Sequence, residues 1–283
     1  MQEARIKDVR VAAVGICSNS GELQQNLERH CAWVERAASA GAQLIVFPEA
    51  SLTGYDLNQI KDAAIELKSD AAQTLAALAE RRNVLISFAL LERAPEGCYV
   101  TQAIVGPGLC LHHRKCHRTA WELQHCLAGS SLSVQDIGIA KLGTLICYDS
   151  AFPAAAETLV RAEAEILIQP SCHGQSSRDL PNSTRPAEII KRRRHVAKYW
   201  GARAYDFTSY AVYVNHAGEN KRGDWFPSYC GIFGPDGEVI AENVEEGEHM
   251  VIADLSGEFL TSCREQRVGH FQTLADARPE LYR

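Results

Sequence analysis

The chain alternates between two hydrophobic rhythms. VRVAAVG (residues 9–15) is a short apolar run with the length and β-branched content of a strand. Leu23, Leu27, Cys31, Val34 and Ala38 then recur at helical spacing, and Gly41 supplies a C-terminal stop. QLIVFPE, closed by Pro48, is the next predicted strand, residues 70–82 an Ala-rich helix, and NVLISFALLE a further strand. YVTQAIVGPG and LCLHHRK pair as a hairpin with Gly106, Pro107 and Gly108 at the bend. The alternation then resumes with a short buried strand over 142–146, a helix opened by Pro153, the strand EILIQPS, a long helix from 186 to about 205, and the strand YAVYVNHAG. CGIFGPDGEVIAE is a hairpin turning on Pro235, Asp236 and Gly237, and EHMVIADL is the last strand.

Helices interleaved with strands imply sheets covered by helices, and the hairpins make those sheets mixed. No linker, repeat or low-complexity tract interrupts residues 1–283, so one domain is expected, with 256–283 as an arm over a neighbour or over the domain's own surface. The composition, 46% hydrophobic and 23% charged, is that of an ordinary soluble protein. A net charge of -6 argues against a nucleic-acid partner. The one dense basic run, KRRRH (191–195), shares a helical pattern with Ile189, Ile190, Val196 and Trp200 and reads as a solvated or subunit-facing helix face. No apolar run approaches the ~20 residues needed to span a bilayer, so no membrane partner is expected. MQEARIKDVRVAAVG carries charges where a signal peptide needs its apolar region. The ten cysteines show no framework of spacings, which points to a reducing cytoplasm.

Three residues stand out against this background. Cys147 ends an apolar strand just before a turn and a helix, a position where a helix N-terminus lowers a thiol pKa. Glu49 follows four apolar residues and Pro48, where desolvation raises a carboxylate toward the range of a general base. Lys115 shares one strand face with Leu109, Leu111 and His113, and an inward lysine needs a carboxylate partner. In the same cleft as Cys147 its ammonium would stabilise an oxyanion. His112, His113, Cys116, His117, His125 and Cys126 crowd together as possible metal ligands, but neighbours in a strand point to opposite faces, and no metal site is expected.

These segments carry a resemblance to the nitrilase superfamily of carbon-nitrogen hydrolases. FPEASLTGYD resembles the family's glutamate motif, HHRKCH its lysine motif and GTLICYDSAFP its nucleophile motif. The resemblance implies an α-β-β-α sandwich of two mixed sheets with outer helices. It implies Glu49 as general base and acid, Lys115 as oxyanion stabiliser, Cys147 as nucleophile, and the backbone N–H of Tyr148 as second oxyanion donor. Glu122 of WELQHCLAG matches a further glutamate that positions the lysine and substrate. Tyr55, His117, Trp121 and His173 fall at positions expected to bind substrate. The reaction implied is hydrolysis of a small amide through a thioester, without a cofactor, in a homodimer or larger homo-oligomer. A nitrile or an N-carbamoyl compound is the alternative substrate, and a non-catalytic interaction protein the alternative of another class.

The chain also departs from the family pattern. Ala151 and Ala154 stand where Arg and Glu are common, and Glu157 where an arginine often follows. Members acting on carbamoyl amino acids hold the substrate carboxylate with arginines just after the nucleophile, which Ser150 and Ala151 cannot do. A carboxylate-bearing amide is therefore expected only if Arg178 or Arg185 reaches in from the following loop. SYCGIF replaces the more frequent Gly-x-Ser-x-Ile, a change of packing.

Overall fold

The computed structural model describes residues 6–268 and 276–281. Two six-stranded sheets lie face to face. The first runs His249–Leu255, Val9–Gly15, Leu44–Val46, Leu85–Ala94, Gly97–Gly106, Leu109–Arg114 from edge to edge. The second runs Val239–Asn243, Cys230–Phe233, Tyr210–Asn215, Ile166–Ser171, Lys141–Thr144, Val134–Asp136. In each, three neighbouring strands are parallel and antiparallel strands flank them.

The period of two along each strand builds the layers. Val9, Val11 and Ala13 face the other sheet and meet Ile166, Ile168, Val212 and Val214 between the sheets. Ala12 and Val14 point outward, with Ile45 and Phe47, against α1 (Leu23–Ser39) and α2 (Asp70–Arg82) through Leu27, Val34, Leu75 and Leu78. On the other side Leu167, Ala211 and Tyr213 meet α3 (Pro153–Arg161) and α4 (Arg185–Phe207) through Leu159, Val196 and Trp200. Strands covered on both faces must be apolar at nearly every position, which is why their runs are continuous in sequence. The result is an α-β-β-α sandwich. A small sheet of Ala217–Glu219, Asp224–Pro227 and Gln175–Ser176 forms from chain leaving the ends of the Tyr210–Asn215 and Ile166–Ser171 strands.

After residue 256 the chain folds into α5 (Gly257–Val268). Leu260 is fully buried in the inter-sheet core, and the Arg264 guanidinium donates to the carbonyls of Thr208 (3.3 Å) and Ala164 (3.4 Å). This part of the expected arm lies on the chain's own surface, while 269–275 fall outside the described residues. No helix among the described residues is long and apolar enough to cross a membrane.

Candidate active site

The residues singled out for chemistry gather just past the carboxyl ends of strands from both sheets. Glu49 follows Leu44–Val46, Lys115 follows Leu109–Arg114, and Cys147 follows Lys141–Thr144. There the backbone must leave the sheet abruptly. Ala50 (φ 51°) and Cys147 (φ 46°) adopt left-handed conformations that cost a non-glycine residue of order 1–3 kcal/mol. The strand thus ends earlier than sequence suggests, and Cys147 opens a 3-10 turn, Cys147–Ala151, ahead of Pro153 at the start of α3.

Glu49, Lys115 and Glu122 are 1%, 2% and 0% exposed and form one buried ionic cluster. The Lys115 ammonium donates to Glu49 Oε1 (2.8 Å) and to Glu122 Oε1 (2.7 Å). Glu122 is held in turn by the Tyr55 hydroxyl at 2.8 Å and the Thr119 N–H at 2.6 Å. The second Glu49 oxygen accepts the Cys172 N–H at 2.9 Å, and the Cys147 thiol lies close enough to feel the charge of the same carboxylate. His216 Nε2 lies 2.7 Å from the Glu49 carbonyl oxygen and fixes the backbone. The Lys115 carbonyl accepts from the Gly129 N–H at 2.8 Å, an approach only glycine permits, since a Cβ there would lie 2.2 Å from the Arg114 oxygen.

Burial sets the protonation states. It raises Glu49 above the ordinary carboxylate range; Lys115 pulls it back and Glu122 pushes it up again. Burial alone would depress Lys115, but Glu49, Cys147 and Glu122 together outweigh it and hold the ammonium charged. Burial and the negative charges likewise raise the Tyr55 phenol, which stays a donor. Cys147 differs from the sequence-based expectation of a lowered pKa. Burial first, and then the Glu49 carboxylate, push the thiol up to about 12, more than Lys115 draws it down. Burial and charge thus hold Cys147 as a neutral thiol beside the Glu49 carboxylate.

Below the elbow Asp149, fully buried, ties it to the lysine segment. Its Oδ1 accepts the N–H groups of Cys116 (3.1 Å) and His117 (2.7 Å) and lies 2.8 Å from His117 Nδ1; its Oδ2 accepts the Ile146 N–H at 3.1 Å. His113 Nε2 stands 3.6 Å from Oδ2. Burial would raise this carboxyl, but the histidines and backbone donors outweigh it and hold it below its usual range. Asp149→Ala is expected to lower stability by roughly 3–5 kcal/mol, read from a urea midpoint, because each stranded buried donor costs about 1–3 kcal/mol. Ser150 Oγ donates to the Cys147 carbonyl at 2.7 Å, Gln169 Nε2 reaches the same oxygen at 3.2 Å, and the Tyr199 hydroxyl donates to Gln169 Oε1 at 3.1 Å.

Of the residues expected to bind substrate, Tyr55 joins the cluster through Glu122. The His117 ring is bonded to Asp149 and stacked on Phe152 at 4.0 Å, which braces the elbow. His173 follows the Cys172 amide and lines an open cavity of roughly 390 Å³ beside α4. The Trp121 side chain is 82% exposed. Its neighbour Glu122 turns inward to Lys115, and in so tight a turn adjacent side chains point to different sides. The Tyr148 side chain is also exposed, while its N–H lies in the first turn of the 3-10 segment, where it has no helical acceptor. Sequence reasoning missed Asp149, Cys172, Gln169 and Arg192. It placed Arg192 on a solvated or subunit-facing helix face; this residue lines the His173 cavity and its Nε is buried. The missed signal was spacing: position 192 lies three residues after buried Ile189 and four before buried Val196. Arg185 does not reach in, being paired with Glu219 (2.6 Å) and Glu246 (3.1 Å). Among the described residues no group of three or more His, Cys, Asp or Glu is arranged to hold a metal ion.

The sequence is 28% identical over 256 residues to the omega-amidase NIT2 of Xenopus tropicalis, covering 86% of this chain and 87% of that protein. It is 28% identical over 306 residues to a nitrilase of Paraburkholderia phymatum, covering 99% and 86%. The fold matches the crystal structure of Saccharomyces cerevisiae Nit3, a member of branch 10 of the nitrilase superfamily, with a TM-score of 0.79, 24% identity and 94% and 96% coverage. Residues 10–265, from the first strand through most of α5, match the carbon-nitrogen hydrolase family, and the chain belongs to it.

Proposed function

We propose that this enzyme hydrolyses the C–N bond of a small amide through a thioester on Cys147. The observation that carries the reading is the Lys115 ammonium, held between Glu49 and Glu122 and near enough to the Cys147 thiol that the ammonium and Glu49 both act on it electrostatically. Glu49 takes the thiol proton as sulfur attacks the carbonyl carbon, so that thiolate character develops only as it is needed. An ammonium has three N–H donors; two face carboxylates, and the third is free for the developing oxyanion together with the Tyr148 N–H. Glu49 then passes its proton to the leaving nitrogen, and ammonia or an amine departs. Water, activated by the regenerated carboxylate, attacks the thioester; the acid leaves and the thiol is restored. Glu122 and Tyr55 position the ammonium and keep its charge balanced.

The omega-amidase relative supports an amide as substrate, and the nitrilase relative makes nitriles the second class to test. Ammonia release from a panel of amides, carbamoyl compounds and nitriles tests the reading. Turnover of amides supports it, turnover of nitriles alone replaces it with a nitrilase, and silence on every class overturns it. Ten free thiols fit a reducing cytoplasm, and a homodimer or larger assembly belongs to the same proposal, checked by light scattering.

The pH profile separates base-assisted attack from a pre-formed thiolate. The base must be ionised, and its pKa is raised, so kcat/KM is expected to fall with pH through a limb above the usual glutamate range. Toward alkaline pH it should level off. A rate that instead climbs steadily toward the thiol's own pKa of about 12 would show that Glu49 is not the base.

A further inference from the structure

The cavity beside the proposed site holds one cation, Arg192, with no partner among the described residues. His173, Glu188, Lys191, Arg192 and His195 line it, with Pro227 at its rim. Lys191 and Glu188 neutralise each other at 3.1 Å. Burial and the nearby Arg192 charge lower His173 to about 4 and lower His195 as well, which weakens both rings as competing cations. That leaves Arg192. It has no hydrogen bond or ion pair among the described residues, and its Nε is buried and unsatisfied. A buried Nε with no acceptor is held at a cost, and a planar guanidinium is suited to grip a carboxylate with two parallel bonds.

The cavity is joined to the reacting groups through His173. His173 follows Cys172, whose N–H bonds Glu49, and the His173 backbone is clamped by Asn215 through bonds of 2.8 and 3.0 Å. Arg192 and Tyr199 lie two turns apart on α4, roughly 10 Å along the axis, and the Tyr199 hydroxyl meets the Gln169 that holds the Cys147 carbonyl. The Tyr199 and Tyr213 hydroxyls feel both the Arg192 charge and the Cys147 sulfur. The positions after the nucleophile carry no cation, and Ser150 is committed to the Cys147 carbonyl.

We infer that Arg192 is a specificity-determining residue that receives a carboxylate carried by the amide substrate. This rests on the amidase reading above and narrows it to anionic amides. It also reopens a class of substrate that Ser150 and Ala151 argued against, since the cation arrives from α4 and not from the elbow.

Steady-state kinetics on two matched series test the inference: monoamides of dicarboxylic acids of increasing length, and simple alkyl amides. N-acylglycines form a third arm, which tells a carboxylate on the acyl side from one on the amine side. Arg192→Gln is expected to lower the ratio of kcat/KM for carboxylated over neutral amides by about 10- to 100-fold, mainly through KM, the usual size of a charge-assisted bond. Arg192→Lys should restore part of that ratio, which a merely structural role would not do. An unchanged ratio in Arg192→Gln overturns the inference. Calorimetry with glutarate on wild type and Arg192→Gln keeps the two readings apart. Glutarate bound by wild type and lost in the variant, without turnover of any amide, would overturn the amidase reading and sustain the anion site. No turnover and no glutarate binding would overturn both.

Discussion

Cys147→Ala is expected to abolish amide turnover, lowering kcat by ~10⁴-fold or more, because removal of a nucleophile closes the covalent route and leaves only binding and charge stabilisation. The protein should nevertheless fold normally. Without the thiol the Cys172 N–H keeps its Glu49 partner at 2.9 Å, and Glu49 keeps Lys115 at 2.8 Å. A change in stability within about 1 kcal/mol is expected from the lost thiol contacts. Ammonia release and urea unfolding of the same preparation check both halves. Cys147→Ser should be inactive as well, because a hydroxyl is a far weaker nucleophile beside the same base. An alanine variant that still released ammonia at the wild-type rate would remove Cys147 from the mechanism.

Lys115→Met is expected to damage activity and stability together. The substitution strands two carboxylates, 1% and 0% exposed, that now share one ammonium. Breaking a buried pair by removing one partner costs about 3–5 kcal/mol, which a urea midpoint would register. The catalytic effect has two parts. Loss of an oxyanion donor costs ~10²–10³ in kcat. In addition Glu49, already raised by burial and drawn down by Lys115, would rise further once that cation is gone. A base with a higher pKa is protonated over more of the pH range, so residual activity should move to higher pH. An unshifted acid limb in Lys115→Met would contradict the coupling between these groups.

The layering of two sheets came from the family resemblance alone, whereas the strands and helices were legible in sequence because sheets buried on both faces demand long apolar runs and the helices between them repeat at a different period. Glu49, Lys115 and Cys147 stood out for the same reason: a polar or reactive side chain directly after an apolar strand is an anomaly that only a site or a strong partner explains. The rest depended on distance through space. Asp149 bonds the Cys116 N–H across 33 residues, and Cys172 bonds Glu49 across 123, separations that carry no local signal. The direction of Trp121 was equally hidden, since one turn decides which of two neighbours goes inward. The thiol pKa was misjudged because the sequence shows the helix that lowers it and hides the enclosure and the Glu49 charge that raise it. Arg192 was half legible, since its place between Ile189 and Val196 sets it at the edge of the buried face.

The most direct test of the account is mass spectrometry of the protein quenched with acid during turnover of an amide it hydrolyses. The account predicts an added mass equal to the acyl group, located on the peptide carrying Cys147 and removed by hydroxylamine, as a thioester requires. Ammonia release at full rate with Cys147 never acylated, or with the adduct on another residue, would contradict it.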